Sequence, residues 1–319
     1  MKTKNLQKPL HSGFNKNSTA SEVLRGISLW GKVVVITGGH SGIGLESTRA
    51  MAGAGAHVIV GARNVVAAGE ALAGIKDVEI LPLDLAHLDS VQRFASGIVA
   101  AHSHVHILMN NAGIMACPEQ RIGPGRWESQ FAINHLAHFV LVQLLWPVLT
   151  GGSRVIVTSS AGHHLSAIRW DDIQFLHGYD KWLAYGQSKT ANVLFSVQLD
   201  HLGKAEGVRS FSLHPGKILT PLQRYLTQQE MVNEGWIDEQ GNLSDPTFKT
   251  TAQGAATQVW AATAPMLADL GGLYCEDCNI APIAGDGSFA GVSSHAIDPA
   301  QAGRLWNLSA AMTGFGKSV

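Results

Sequence analysis

Tyr185 and Lys189 stand four residues apart in a stretch, 183–203, that reads as a helix. That spacing puts both side chains on one face. A phenol with its ordinary pKa of ~10 is an ineffective acid or base near neutrality. A neighbouring ammonium favours the phenolate and lowers that pKa. A phenol tuned in this way can give a proton to a carbonyl oxygen, or take one from an alcohol. Ser160, just after the apolar run 154–158, could hydrogen-bond the same oxygen and hold it in place.

A second constellation is Thr37-Gly38-Gly39-His40-Ser41-Gly42-Ile43-Gly44. It follows the β-branched run 32–37 and precedes a helix-compatible stretch that ends at Ala54, before Gly55. Gly38, Gly42 and Gly44 would let backbone N–H groups and a helix N-terminus approach a pyrophosphate. An ordinary glycine turn is the plain alternative. The spacing departs from Gly-x-Gly-x-x-Gly, and no Gly-Lys-Ser/Thr of a triphosphate loop follows. An NAD site wants a carboxylate at the end of the second strand, for the 2′-hydroxyl. No acid occurs over 57–69, and Arg63 stands there instead. Its guanidinium could pair with a 2′-phosphate, with His40 and Ser41 adding donors. These residues favour NADP(H), with NAD(H) as the alternative.

Apolar runs alternate with helical stretches along the chain. Strands are expected at 32–37, 57–61, 78–83, 105–110, 154–158 and 208–213, with a last one at 272–275. Helices are expected at 42–54, 65–73, 88–101, 126–149 and 183–203. This rhythm predicts an α/β fold, a Rossmann-type doubly wound parallel sheet of about seven strands with helices on both faces. Residues 1–28 read as a polar arm with a short helix near Ser21–Gly26, and 29–319 as one domain. Residues 221–250 lose the rhythm and would form a lid over the carboxyl ends of the strands, where ligands bind in such sheets.

The chain has 319 residues, 45% of them hydrophobic and 15% charged, enough for a full core without disulfides. Lys and Arg number 23 against 24 Asp and Glu, so no basic excess points to nucleic acid. Three cysteines suit a reducing compartment. No signal peptide is read at the N-terminus, and no run approaches the ~20 apolar residues of a membrane span. The expectation is a cytoplasmic protein with no membrane partner.

Taken in order, the motifs resemble the short-chain dehydrogenases/reductases. They are Thr-Gly-x-x-x-Gly-x-Gly from Thr37, Asp84-Leu85, Asn111-Ala112-Gly113, Asn134, Ser160, Tyr185-x-x-x-Lys189 and Pro215-Gly216 with Thr220. The resemblance is strong over residues 30–220. It leans toward the retinol-dehydrogenase-like and WW-domain-oxidoreductase-like branches through Leu183–Phe195, Leu213–Gly216, Gly254–Ala262 and Gly271–Cys275. It implies that Tyr185 is the acid/base and that Ser160, not the adjacent Ser159, faces the substrate. Lys189 would bind the nicotinamide ribose, and Asn134 would anchor a water that resupplies the proton. Asp84 would accept from the adenine amino group, with the Leu85 backbone beside it. Asn111, Ala112 and Gly113 would admit the adenosine ribose. Pro215, Gly216, Ile218 and Thr220 would wrap the nicotinamide side.

The expected reaction is hydride transfer between a carbonyl and an alcohol, on a small and hydrophobic substrate. Helices 126–149 and 183–203 would pair between subunits of a homodimer or homotetramer. A catalytically silent nucleotide sensor or scaffold on the same fold is the rival. A nucleotide-sugar epimerase fits the glycine spacing less well.

The interval from Ser160 to Tyr185 is longer than the dozen or so residues usual in the family. His163, His164, Trp170, Tyr179 and Trp182 lie in it, as pocket lining or as surface packing. Cys275 and Cys278 lack the second ligand pair of a structural zinc site and read as ordinary thiols. His102, His104 and His106 alternate and read as a solvated edge. His135 and His138 read as core or interface. No metal site is expected.

Overall fold

The computed structural model describes residues 6–316. After a short helix, α1 (Ala20–Val23), strand and helix alternate: β1 (Val33–Thr37), α2 (Gly42–Gly53), β2 (His57–Ala62), α3 (Val65–Ala71), β3 (Val78–Pro82), α4 (Leu88–Ala101) and β4 (Ile107–Asn110). A two-strand ribbon, β5 (Arg121–Ile122) and β6 (Trp127–Glu128), leads into the long helix α5 (Ser129–Leu149). Then come β7 (Ser153–Thr158), α6 (Lys181–Gly203), β8 (Val208–His214), α7 (Gln228–Asn233), α8 (Thr251–Thr263), β9 (Leu273–Glu276), β10 (Asn279–Ile280) and α9 (Pro299–Thr313).

The main sheet runs β3-β2-β1-β4-β7-β8-β9-β10, parallel throughout except β10. The doubly wound fold is therefore as the alternation predicts. Strand order reverses beside β1, which opens a crevice at the carboxyl ends of β1 and β4. Strand residues alternate between two cores. Val34, Ile36, Val58 and Val60 pack under α2 and α8, whereas Val35, Ile59, Leu108 and Val155 pack under α4 and α5. Both faces are covered, so the strands read as continuous apolar runs.

Several boundaries differ from expectation. β10 adds an eighth strand through a tight turn, with Asp277 and Cys278 at φ 51° and 57°. Turns of that kind usually carry Asn-Gly, so Asp-Cys gave no signal. The helix expected from residue 126 begins at Ser129, because the Glu128 carboxylate accepts from the Gln130 and Phe131 N–H groups. Trp127 and Glu128 pair instead with Ile122 and Arg121. The arm's helix is one turn, closed by a Thr19–Glu22 capping box. Ahead of it, the buried Gln7 carboxamide bonds the Tyr274 and Ala281 carbonyls and accepts from the Tyr274 N–H. The arm thus covers the β9 end of the sheet.

By length and composition Ser129–Leu149 could cross a membrane, which the sequence reading did not recognise. Of its most apolar stretch, 72% is buried within the protein, so core packing accounts for it.

The intersubunit pairing implied by the resemblance meets an obstacle. α6 has 18 of its 23 residues buried, and α9 lies along its outer side. Trp306 of α9 stacks on Phe195 at 5.9 Å and meets Phe139 of α5 edge-on at 5.0 Å. The side of α5 and α6 around Phe139 and Phe195 is covered by the chain's own C-terminal helix. Trp306→Ala should therefore cost about 3–5 kcal/mol, from lost aromatic burial and the cavity left behind. Urea unfolding checks this. A loss under ~1 kcal/mol would show that α9 is not part of the cooperative core.

Candidate active site

A cleft of about 1170 Å³ opens at the carboxyl ends of the strands. That exceeds the ~300–1,000 Å³ of an ordinary small-ligand site. The glycine turn, Arg63, the ends of β3, β4 and β7, and the segment after β8 all border it.

The glycine turn is built for close approach. Gly38 and Gly42 sit at φ +68° and +53°. A Cβ on Gly44 would lie 2.4 Å from the Gly38 carbonyl oxygen, so only glycine fits there. Thr37 ends β1, and its hydroxyl accepts from the Asn111 and Ala112 N–H groups, both at 3.0 Å. The Asn111 side-chain amide donates to the Thr37 carbonyl. Among the described residues, His40 Nδ1 and Asn111 Oδ1 are buried without a partner, and both residues border the cleft. Orphaned polar atoms beside a glycine cradle fit a dinucleotide well.

Arg63, at the end of β2, is exposed and borders the cleft. Asp84 also borders it, with one carboxylate oxygen accepting from the Ala86 N–H. Leu85, Ala112 and Gly113 line the same wall, and Ile43 and Ser41 face them from the turn. Pro215, Gly216, Ile218 and Thr220 close the other side. Gly216 needs its φ of +105°, and Thr220 packs against Gly42.

At the floor, Tyr185 and Lys189 lie on the cleft side of α6. Ser160 hydrogen-bonds the phenol, and its hydroxyl accepts from the Gly162 N–H at 3.0 Å. The Lys189 Nζ donates to the Thr158 carbonyl at 3.1 Å and lies 5.5 Å from the Tyr185 ring centre. Ser159 points elsewhere, its buried hydroxyl donating to the Lys189 carbonyl. Asn134 lies behind the cleft, in a π-turn of α5 spanning Ala132–Leu136. Its side chain accepts from the Ile114 N–H and donates to the Ile114 carbonyl and the Ser188 hydroxyl. A Cβ on Gly113 would meet Asn134 Oδ1 at 3.0 Å and Lys189 Nζ at 3.7 Å, so Gly113 separates the two.

A short chain dehydrogenase family model matches residues 32–231. The chain belongs to the short-chain dehydrogenase/reductase family. It is 39% identical to a short-chain dehydrogenase/reductase of Penicillium roqueforti, over 88% of this chain and 84% of that one. It is 38% identical to retinol dehydrogenase 12 of Bos taurus, over 90% and 88%. A crystal structure of an uncharacterised protein from Mycobacterium paratuberculosis superposes with a TM-score of 0.70 at 31% identity, covering 94% of this chain and 98% of that one. The chain is thus an oxidoreductase of this family.

In this oxidoreductase, burial governs the titration of the floor. It pushes the Tyr185 phenol up to about 12, opposed by the Ser160 hydrogen bond. It pushes the Lys189 ammonium down to about 8. The expected lowering of the phenol by the ammonium is not seen, and burial sets the direction for both groups.

Residues 161–182 differ in part from expectation. Of the five aromatics and histidines singled out there, only Trp182 borders the cleft. His163 is buried beneath it, with Nδ1 on the Ser160 carbonyl at 2.7 Å and Nε2 accepting from the Ser293 N–H. His164 meets Ser293 and the Gly291 carbonyl, Trp170 bonds Gln301, and Tyr179 bonds the Cys117 carbonyl. The lid segment does border the cleft, through Leu222, Glu234, Trp236 and Phe248.

His138 is core, as expected, but its polar role was not foreseen, and His214 was not singled out. His138 Nε2 lies 3.0 Å from the Thr37 hydroxyl, and its Nδ1 lies 3.1 Å from the Asn134 carbonyl. The Thr37 oxygen already accepts two N–H bonds, so its proton goes to Nε2 and Nδ1–H donates to Asn134. Burial lowers the His138 pKa to about 4, which keeps the ring neutral as this bonding needs. His214 accepts from the Ala161 N–H and fixes the chain just after Ser160. The Asn134-x-x-x-His138 spacing, one helical turn, was the available signal for the first.

Lys189→Met should raise stability at pH 7 by roughly 1–3 kcal/mol, since it removes a buried charge and leaves an apolar chain of similar length. The native ammonium loses its proton near 8, the unfolded one near its ordinary 10.5. Between these values the unfolded chain binds more protons, so wild-type stability gains with rising pH. The gap to the variant should narrow over that window in urea titrations. A variant less stable than wild type at pH 7 would show the ammonium to be satisfied where it sits.

Proposed function

We propose that this chain interconverts a hydrophobic carbonyl compound and its alcohol using NADP(H). The observation that carries this reading is the buried Tyr185 hydroxyl, hydrogen-bonded to Ser160 with the Lys189 ammonium behind it. When bound, the nicotinamide cofactor supplies or accepts the hydride. Gly38, His40, Ser41, Gly42, Ile43 and Gly44 would hold its pyrophosphate. Asp84 and Leu85 would take the adenine, Asn111, Ala112 and Gly113 the adenosine ribose, and Pro215, Gly216, Ile218 and Thr220 the nicotinamide side.

In the reductive direction Tyr185 gives its proton to the carbonyl oxygen. Ser160 donates to the same oxygen and fixes its position. Lys189 binds ribose hydroxyls, and its charge favours the phenolate left by the proton transfer. Asn134 supports proton resupply from behind Gly113. Met115, Leu222, Trp182 and Trp236 surround the space over Tyr185, which favours an apolar substrate. A homodimer or homotetramer would have to use faces other than those α9 fills.

The reaction is tested by NADPH absorbance against a panel of apolar aldehydes and ketones. Tyr185→Phe should lower kcat by at least ~100-fold while NADPH binding stays within a few-fold, because only the proton is lost. Equal turnover by the variant would sink the assignment. An NADPH-binding protein with no turnover on any carbonyl would favour the sensor reading instead.

Cofactor choice rests on Arg63, for which no ion pair is present among the described residues. Calorimetry should show NADPH binding at least ~10-fold tighter than NADH, a charge-assisted contact to phosphate being worth about 1.5–3 kcal/mol. Arg63→Ala should erase the difference. Tighter NADH binding by the wild type would leave the chemistry standing and remove the role given to Arg63.

A further inference from the structure

We propose that His57, Glu79 and His102 form a binding site for one zinc-class divalent ion, at the end of the sheet remote from the cleft. His57 is the first residue of β2, Glu79 the second of β3, and His102 the residue that caps the C-terminus of α4. β2 pairs with β3 so that Ile59 lies opposite Glu79, and His57 is two residues before Ile59. His57 and Glu79 therefore share a face of the sheet, the one on which α4 packs. The last turn of α4 then delivers His102 onto that face.

One ligand atom from each residue lies within 4.8 Å of the others. His57 Nε2 and Glu79 Oε2 are 3.6 Å apart. Zinc bonds of about 2.0–2.1 Å in a tetrahedron put ligand atoms roughly 3.3 Å apart, so one edge is already near its final length. The two imidazoles are 5.6 Å apart, and small rotamer adjustments bring the third ligand in. No other hydrogen bond or ion pair occupies these three side chains among the described residues. All three are half-buried, so solvent can deliver the ion and water can fill the fourth position.

Two imidazoles and a carboxylate suit zinc better than magnesium or calcium, which prefer all-oxygen sets. The C-terminal end of α4 adds partial negative charge beside His102. The recess next to it also holds Lys32 and Asp77, whose charges offset each other. The alternating His102, His104 and His106 do not act together. His104 and His106 stack edge-on at 4.4 Å, and His106 Nδ1 accepts from the Val33 N–H. Only His102 turns toward β2. The site joins β2, β3 and α4, yet His57 stands six residues before Arg63, about 20 Å along an extended strand. An ion here would tie the sheet edge together and touch no group of the cleft.

The test is calorimetric titration of the full chain with zinc chloride alone, alongside thermal unfolding with and without zinc. Wild type should bind one zinc per chain and unfold at a higher temperature with it. His57→Gln and His102→Gln should each weaken that binding at least ~10-fold, the least that loss of even an outer-shell partner costs. They should also abolish the thermal shift. His104→Gln should bind as wild type does. The proposal is overturned if wild type takes up no zinc, or if His57→Gln and His102→Gln bind it as tightly as wild type. Neither readout uses carbonyl reduction or NADPH, so the outcome is independent of the proposed reaction.

Discussion

The site depends on a positive charge held where water does not reach it. Lys189 is buried on α6, and among the described residues its ammonium finds one hydrogen bond, to the Thr158 carbonyl at the end of β7. Desolvating an ammonium costs several kcal/mol even after relaxation. A side chain so placed would swing toward solvent unless its helix were fixed on every side. That accounts for the composition of α6. Residues 184–200 are buried throughout, against the sheet on one side and α9 on the other. A helix sealed in this way has no polar face to read, and it gains rigidity from the whole fold. The same enclosure holds Tyr185 one turn away and gives both groups their displaced pKa values.

A second network joins the glycine turn to the back of the cleft. The Thr37 hydroxyl takes two N–H groups from the residues after β4 and gives its proton to His138. His138 passes the order on to the Asn134 carbonyl inside the π-turn. A π-turn widens the helix by one residue per turn and frees a carbonyl from the regular ladder. Three elements, β1, β4 and α5, are thereby locked at one buried polar node. The Thr37 hydroxyl and both ring nitrogens of His138 have partners, which makes this node rigid.

Most of the fold was legible because its signals are local. β1, β2, β4, β7 and β8 are short apolar runs, and their alternation with helices fixes a parallel sheet and the place of its crevice. The glycine turn and Ser160 were legible because each follows the end of a strand, and Tyr185-x-x-x-Lys189 because one helical turn sets its spacing. What escaped depended on distant partners. α9 is recognisable only by what it covers, Phe195 and Phe139 more than a hundred residues away. His163 lies in the long interval between Ser160 and Tyr185, where both pocket lining and surface packing are open to it. Instead its ring is drawn beneath the cleft by Ser293, from the far end of the chain. The three alternating histidines looked equivalent, yet the end of α4 rotates His102 away from the other two.

The lid shows how the apolar end of the cleft is tied to the reacting group. Trp236 meets Trp182 edge-on at 6.2 Å, and Trp182 meets Tyr185 in the same way at 6.4 Å. Lys181, in the first turn of α6, is ion-paired with Glu230 of α7. Glu230 also closes that helix's capping box with Thr227, so α7 of the lid segment and α6 share one carboxylate. The Lys217–Phe248 bridge returns the lid to the segment that follows β8. An apolar cover fastened at both ends keeps water from the phenol, and electrostatic interactions strengthen where water is excluded. In the proposed reaction the lid therefore acts twice. It selects an apolar substrate by its aromatic wall, and it preserves the low-dielectric setting in which the Lys189 charge can steady a phenolate.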